Sequence, residues 1–269
     1  LWAPGIGGPD NLALLVWLGV DLFDLTRSRQ AAASEMLLDR GGPRTPSMEL
    51  GESASLDAQV DAWRAAVAEV REHLAAGTLR QLVDRQALVA PSTVVQLRHH
   101  DEVCSTMEGL LERHVPRERK LMCMAETSLH EPAVLDWVKW MSTDYRAPQG
   151  MDRLLVLLPC SARKPYRFSK SHRRFIEAIG TNAVHEVMVT SPLGLVPRDL
   201  EQVWPAQHYD LAVTGRWSAD EINRIGSMLS ALIEGHDYQC IVDHSGVTLP
   251  ESCYGGLPRI DTRQGESAG

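Results

Sequence analysis

The sequence lacks three features that would each indicate a particular class of protein. Its five cysteines include no CxxC pair, so the sequence predicts neither a disulfide framework nor a metal site. No apolar run approaches the roughly 20 residues of a membrane-spanning helix, and no cleavable signal precedes the first predicted helix. Positive charge is not in excess, since the formal net charge is −8. We therefore expect a cytoplasmic protein with no membrane partner and at most a local basic surface.

One apolar strand is followed at once by reactive side chains. Residues 154–158 read LLVLL, which is typical of a strand covered on both faces in a parallel sheet. Three more strands are predicted, at 184–190, 210–213 and 239–242. Helical patterns separate them, including one that begins with a capping box at Ser218 and Glu221. This alternation predicts an α/β fold with a three-layer α/β/α domain and a mainly parallel sheet.

The residues after this strand follow the spacing Pro-Cys-x3-Lys-Pro-Tyr-x2-Ser-x2-His. The specified positions are Pro159, Cys160, Lys164, Pro165, Tyr166, Ser169 and His172. Ligands bind at the carboxyl ends of strands in open α/β sheets, so this signature is placed for a site. Between Ser161 and Ile176 there are also six basic residues and no acidic one.

The signature resembles that of the archaeosine synthases, an archaeal family related to the tRNA-guanine transglycosylases. The stretches HEVMVTSPLGLVPRDLE and WPAQHYDLAVTG extend the resemblance. It implies an enzyme that adds the amine of an amino acid, either lysine or a glutamine-derived nitrogen, to the nitrile of 7-cyano-7-deazaguanine in tRNA. It also implies a homodimer and, in some organisms, a radical-SAM partner enzyme. We expect no cofactor in the chain itself.

That reaction assigns expected roles to the signature residues. His172 would serve as the base for the attacking amine. Tyr166 and Lys164 would donate to the nitrile nitrogen, where negative charge develops, although Lys164 could instead bind a tRNA phosphate. Ser169 would either hold His172 or cap the following helix, and Pro165 would stiffen the loop.

Cys160 has two interpretations: a nucleophile that forms a thioimide with the nitrile, or a small residue packed under the loop. The residues expected to bind the substrate are Ser161, Pro165, Ser191, His208 and Tyr209. For His208 a purely structural role is the alternative. The residues expected to bind RNA phosphates are Arg163, Arg167, Lys170, Arg173 and Arg174. Phe168 would either stack on a base or be buried in the core.

The resemblance divides the chain into four predicted regions. They are a partial transglycosylase-like barrel remnant at 1–48, a mainly helical region at 49–148, an α/β catalytic core similar to the uracil-DNA glycosylase fold at 149–258, and a flexible tail at 259–269. A short strand is predicted at 20–23 in the first region, and a linker or long loop at 40–53, across the boundary of the first two regions. In the resemblance Asp24 occupies the position of the transglycosylase nucleophile; the alternative is a polar residue at a strand end.

The chain begins at Leu1, within sequence that already has the pattern of a folded domain. The full-length family carries a PUA-type RNA-binding domain beyond the α/β core, so we expect a fragment with weak tRNA affinity. Two alternative functions remain: a base-exchanging transglycosylase and a noncatalytic tRNA-binding module.

Overall fold

The computed structural model describes residues 1–104, 120–123, 126–211 and 216–263. The chain divides into two compact units, Leu1–Arg119 and Lys120–Gly269. The second unit contains a mostly parallel sheet with helices between its strands, which confirms the predicted α/β class. The boundary between the units falls inside the helical region predicted at 49–148, and the four-part division stays a prediction. In the described residues no helix is long and apolar enough to cross a bilayer.

The described part of the first unit is mainly helical. Its elements are α1 (Leu12–Trp17), α2 (Thr26–Ala33), β1 (Leu37–Asp39), β2 (Gly42–Arg44), α3 (Leu56–Ala76), α4 (Leu79–Ala87) and α5 (Pro91–Cys104). The strand predicted at 20–23 is wrong, because only an isolated bridge joins Trp2 and Leu22 there. The linker or long loop predicted at 40–53 is wrong in part, since it contains β2, which pairs antiparallel with β1.

The long helix α3 shows how local sequence fixes this unit. Ser55 caps its start, with Oγ accepting from the amide of Ala58 at 3.2 Å, and Gly77 ends it at a positive φ of 69°. The buried amide of Gln59 accepts from the Leu38 amide at 3.0 Å and donates to the Met36 carbonyl at 2.7 Å. One side chain thus ties the hairpin to the helix.

The second unit carries the reactive sequence. Its elements are β3 (Leu121–Cys123), α6 (Pro132–Thr143), β4 (Leu154–Pro159), α7 (Lys170–Ile179), β5 (His185–Thr190), β6 (Gly194–Pro197), β7 (Tyr209–Leu211), α8 (Ala219–Glu234), β8 (Cys240–Asp243) and β9 (Arg259–Asp261). The predicted capping box opens α8, where Ser218 Oγ accepts from the Glu221 amide and Glu221 accepts from the Ser218 amide.

The main sheet has the strand order β6-β5-β4-β8-β9, and all its pairs are parallel except β5 with β6. Five consecutive residues of β4, 155 to 159, are buried. Because neighbouring side chains point to opposite faces, both faces of this central strand are covered, as predicted. The carboxyl end of β4 therefore lies between those of β5 and β8.

Two predictions about the strands need correction. Residues 210–213 were expected in the main sheet, but β7 pairs in parallel with β3 in a separate two-stranded sheet, and 212–213 lie outside the described residues. The tail at 259–269 was expected to be flexible. Its first residues instead form β9, which pairs with β8, while 264–269 lie outside the described residues.

Candidate active site

The loop that leaves β4 contains the predicted site. Cys160 follows the strand directly, and a 3₁₀ turn, Tyr166–Phe168, leads into α7. Ser169 caps this helix, because its Oγ accepts from the backbone amide of His172 at 3.2 Å. Of the two interpretations of Ser169, the structure thus shows the capping one.

A chain of hydroxyl groups lies beside this loop. The hydroxyl of Tyr166 bonds to that of Tyr209, which lies 2.6 Å from Thr190 Oγ1 at the end of β5. Both tyrosines are almost completely buried. Burial raises the pKa of each phenol, so both are neutral and can donate hydrogen bonds. The sequence did not point to Thr190.

Cys160 and Lys164 lie next to this hydroxyl chain. Burial raises the pKa of the Cys160 thiol, and the nearby Lys164 ammonium and Thr190 hydroxyl oppose that rise. The Nζ of Lys164 lies 4.1 Å from the ring centroid of Tyr209. Burial lowers the pKa of Lys164, while Cys160 and Asp210 act against this. A thiol, a partly desolvated amine and three neutral hydroxyls therefore converge at one edge of the sheet.

His172 is placed differently from what its predicted role as a base requires. Its side chain is fully buried. Nε2 lies 3.0 Å from the Pro159 carbonyl, which can only accept, and Nδ1 lies 3.0 Å from Nη2 of Arg198, which can only donate. Both ring nitrogens are thus occupied in a neutral tautomer, and burial lowers the pKa of His172 to about 4. This geometry suits orientation of the Pro159–Cys160 peptide, not proton removal from a substrate.

Two residues after β6 fix both ends of the reactive loop: Arg198, which begins a short 3₁₀ turn, and Glu201, which directly follows that turn. Arg198 holds His172, and through it the carbonyl before Cys160. The fully buried Glu201 accepts from the backbone amide of Arg167 at 3.0 Å and from its Nε at 2.5 Å. Arg198 also donates to Glu201 at 3.0 Å, which links the contacts at the two ends of the loop, and to Glu186 at 2.7 Å. We call Arg198 and Glu201 the loop clamp.

The other predicted binding residues are dispersed. Ser161 Oγ donates to the Arg163 carbonyl at 3.0 Å, which closes the loop on itself. Pro165 follows a cis peptide bond, as does Pro192, whose neighbour Ser191 is buried. His208 is half-buried and pairs β7 with β3 through its carbonyl, which accepts from the Leu121 amide at 2.6 Å.

The predicted RNA-binding residues fall into two groups. Arg167 is engaged with Glu201. The other four are exposed and form no ion pair with any described residue: Arg163, Lys170, Arg173 and Arg174. Phe168 is 48% exposed, so its side chain is not in the core, and the Arg163 guanidinium lies 5.9 Å from the centroid of its ring.

Asp24 belongs to the first unit. Its Oδ1 accepts from the Thr26 amide at 2.9 Å and its Oδ2 from the Gly5 amide at 2.8 Å. These bonds, the one from Thr26 first, lower the pKa of Asp24. The carboxylate thus holds the start of α2. Among the described residues no group of three or more His, Cys, Asp or Glu side chains is arranged to hold a metal ion.

Comparison with known proteins gives this site a context. Residues 134–254 match a family described as a domain of unknown function, DUF5591. Archaeosine synthase subunit alpha of Methanosarcina acetivorans is 36% identical over 94% of this chain and 44% of its own length. Archaeosine synthase of Haloferax volcanii is 35% identical over 93% of this chain and 44% of its own length.

The chain is homologous to the archaeosine synthases. This confirms the resemblance predicted from the sequence, although the chain spans only 44% of the length of either archaeosine synthase. A solved structure, AF0587, a protein of unknown function, matches 49% of this chain and 45% of its own with 24% identity and a TM-score of 0.34.

The residues that sequence reasoning missed lie outside the stretch from Pro159 to His172 that carries the predicted signature. Thr190, Arg198 and Glu201 are 30 or more residues from Cys160 in the chain. A partial signal was present, because Arg198 and Glu201 are oppositely charged and three residues apart, but that spacing is common on solvated turns. Their burial, not their spacing, distinguishes them.

Proposed function

We propose that this chain is the core of an archaeosine synthase that acts on tRNA. Its reaction would join the amine of an amino acid, lysine or a source of glutamine-derived nitrogen, to the nitrile carbon of 7-cyano-7-deazaguanine. The observation that carries the proposal is the convergence of Cys160, Lys164 and the hydroxyl chain at the carboxyl end of β4. The homology over nearly the whole chain supports the substrate class.

The addition needs a donor where charge develops and a place for one proton. The amine nitrogen bonds to the nitrile carbon, loses a proton, and the nitrile nitrogen gains one, so that an amidine forms with no other product. Lys164 is suited to move this proton, because burial lowers its pKa and brings its neutral and charged forms closer in energy. The Thr190 hydroxyl, which lies within hydrogen-bonding reach of the Cys160 sulfur, is a further donor.

A covalent route uses Cys160. Its sulfur adds to the nitrile carbon, with the thiol proton passing to the nitrile nitrogen, and gives a thioimide. The amine then attacks the same carbon, the carbon–sulfur bond breaks, and the thiolate regains a proton as the amidine forms. Lys164 beside the thiol favours the thiolate, whereas burial disfavours it. Direct addition and this route differ in one respect, the need for sulfur at position 160.

In this mechanism His172 is a positioning residue and not the base. It holds the peptide that carries Cys160, and Arg198 holds His172. The exposed cations on α7 would bind phosphates of the tRNA, which positions the substrate without selecting sequence. Arg167 contributes less to this, because its guanidinium is engaged by Glu201.

The test is incubation of tRNA that contains 7-cyano-7-deazaguanine with this protein and isotopically labelled lysine, followed by mass spectrometry of the nucleosides. A labelled adduct is expected, and it should be lost in Lys164→Met. The same assay with Cys160→Ala separates the two routes, since direct addition keeps the adduct. Parallel reactions with labelled glutamine and ammonia identify the donor. If no donor gives an adduct although the tRNA binds, the chain is a noncatalytic tRNA-binding module.

A further inference from the structure

An exposed aromatic ring lies at the end of the reactive loop. Phe168 is the last residue of the 3₁₀ turn that begins at Tyr166, and Phe168 is 48% exposed while Tyr166 is fully buried. The guanidinium of Arg163 lies 5.9 Å from the centroid of the Phe168 ring. The two side chains thus present a planar cation and an aromatic face to solvent, on the loop that also carries Cys160.

The adjoining helix gives this surface its charge. Lys170, Arg173 and Arg174 on α7 are exposed and make no ion pair with the described residues, and neither does Arg163. Positions three and four apart share one side of a helix, so these three cations form one group, while the buried His172 lies on the opposite side. No acidic residue occurs between 161 and 176.

An anionic partner would compensate these charges, but the ring narrows the choice of partner. Duplex RNA would offer phosphates and keep its bases stacked inside, so it would leave Phe168 without a contact. An unpaired RNA segment offers both phosphates and base faces, and bases stack on aromatic rings and on guanidinium planes. The combination of ring and charge therefore fits single-stranded RNA.

We propose that Phe168 and Arg163 form a stacking platform for an unpaired base of the tRNA substrate, with Lys170, Arg173 and Arg174 on the flanking phosphates. This rests on the proposed function and extends it, since it specifies how the loop holds the nucleotide next to the one that is modified. The RNA segment that reaches the loop is then unpaired at the base that stacks on Phe168.

Fluorescence anisotropy with two probes tests the platform, one a short single-stranded RNA and the other a hairpin with the same sequence in its stem. Phe168→Ala should weaken binding of the single strand by ~5- to 150-fold, the range for loss of one base stack, and leave hairpin binding unchanged. Phe168→Tyr should restore it. Arg173→Ala should weaken both probes and reduce the salt dependence of binding by about one charge.

The chain offers matched controls at the opposite edge of the sheet. Trp140 is 42% exposed and packs on Tyr145, whose ring stacks on His185 at the start of β5. The exposed Arg153 immediately precedes β4. Trp140→Ala and Arg153→Ala should therefore bind both probes as the unaltered protein does, and an unchanged urea midpoint shows that Phe168→Ala folds.

Three results refute the platform. Phe168→Ala weakens binding of both probes equally, it changes the binding of neither, or the unaltered protein does not bind the single strand. These results differ from failure of the proposed function. Selective loss of single-strand binding, without any labelled adduct from the unaltered protein, would keep the platform and reject the enzyme. If the unaltered protein forms the labelled adduct and Phe168→Ala does not change RNA binding, the enzyme is supported and the platform is rejected.

Discussion

Glu201 provides the most direct test of the loop clamp. Its carboxylate is fully buried and accepts from the Arg167 amide, from Arg167 Nε and from Arg198 Nη1. Glu201→Gln keeps the shape and one acceptor oxygen but removes the charge. Whichever way the amide is turned, its NH2 group faces a donor of Arg167 or Arg198. We expect a less stable second unit and a loop held at one end only.

The expected loss of stability can be worked out from how exposed the two arginine partners of Glu201 are. The Arg167 side chain is 41% exposed, so its ion pair contributes at most ~1 kcal/mol. Arg198 is 13% exposed, and its charged hydrogen bond should contribute ~1.5–3 kcal/mol. The free energy of unfolding should therefore fall by about 3 kcal/mol, which for a unit of this size is roughly 6–12 °C in the midpoint of thermal unfolding.

Urea unfolding gives the free energy, and hydrogen exchange in the β4 and β5 peptides assigns the loss to the second unit. Glu251→Gln is the control, because Glu251 makes an ion pair with Arg259 at 2.6 Å but is 78% exposed. If Glu201→Gln unfolds at the same urea concentration as Glu251→Gln, the clamp does not stabilise the loop and this explanation is wrong.

Three further predictions concern a histidine, a lysine and a glycine. The pKa of His172 is about 4, below the ~6.5 of an unfolded chain, so the unfolded state binds more protons between these values. The contribution of His172 to the free energy of unfolding should therefore fall by about 3 kcal/mol as the pH drops from 6.5 to 4. Over this pH range the free energy of unfolding of His172→Gln should fall by less than that of the unaltered protein. Lys164→Met should lower turnover by ~100- to 1,000-fold while leaving tRNA binding unchanged in anisotropy, because it removes a half-buried donor from the site. An equal loss of binding would assign Lys164 to a phosphate instead. Gly194→Ala should lower the thermal midpoint more than Gly150→Ala: both have a positive φ, but a Cβ at 194 would lie 2.3 Å from Sδ of Met228, whereas the space at 150 is open.

Sequence reasoning succeeded where the information is local. The uninterrupted apolar run of β4, the Ser169 cap and the Ser218–Glu221 capping box each depend on a few adjacent residues. The apolar run of β4 predicted a central strand of a parallel sheet, and ligands bind at the carboxyl ends of such strands. The position of Cys160 followed from this. These features placed the candidate loop correctly on the fold.

The remainder of the site depends on contacts between distant residues, which no local pattern encodes. The hydroxyls of Tyr166 and Tyr209 meet across 43 residues, and Glu201 reaches Arg167 across 34. His172 was expected to be a base because of its residue type. The position of the His172 side chain depends on which side of α7 faces the Pro159 carbonyl. Tertiary packing decides this.

The hydroxyl chain of Tyr166, Tyr209 and Thr190 also has a direction. Each hydroxyl has one hydrogen to donate, and Thr190 Oγ1 donates to the Ser191 carbonyl at 3.3 Å. Thr190 must then accept from Tyr209, and Tyr209 from Tyr166. A group that bound beside Cys160 and accepted the Thr190 hydrogen in place of the Ser191 carbonyl would leave the order of the other two hydroxyls unchanged. The hydroxyl chain thus offers one hydrogen, that of Thr190, to a group bound beside Cys160.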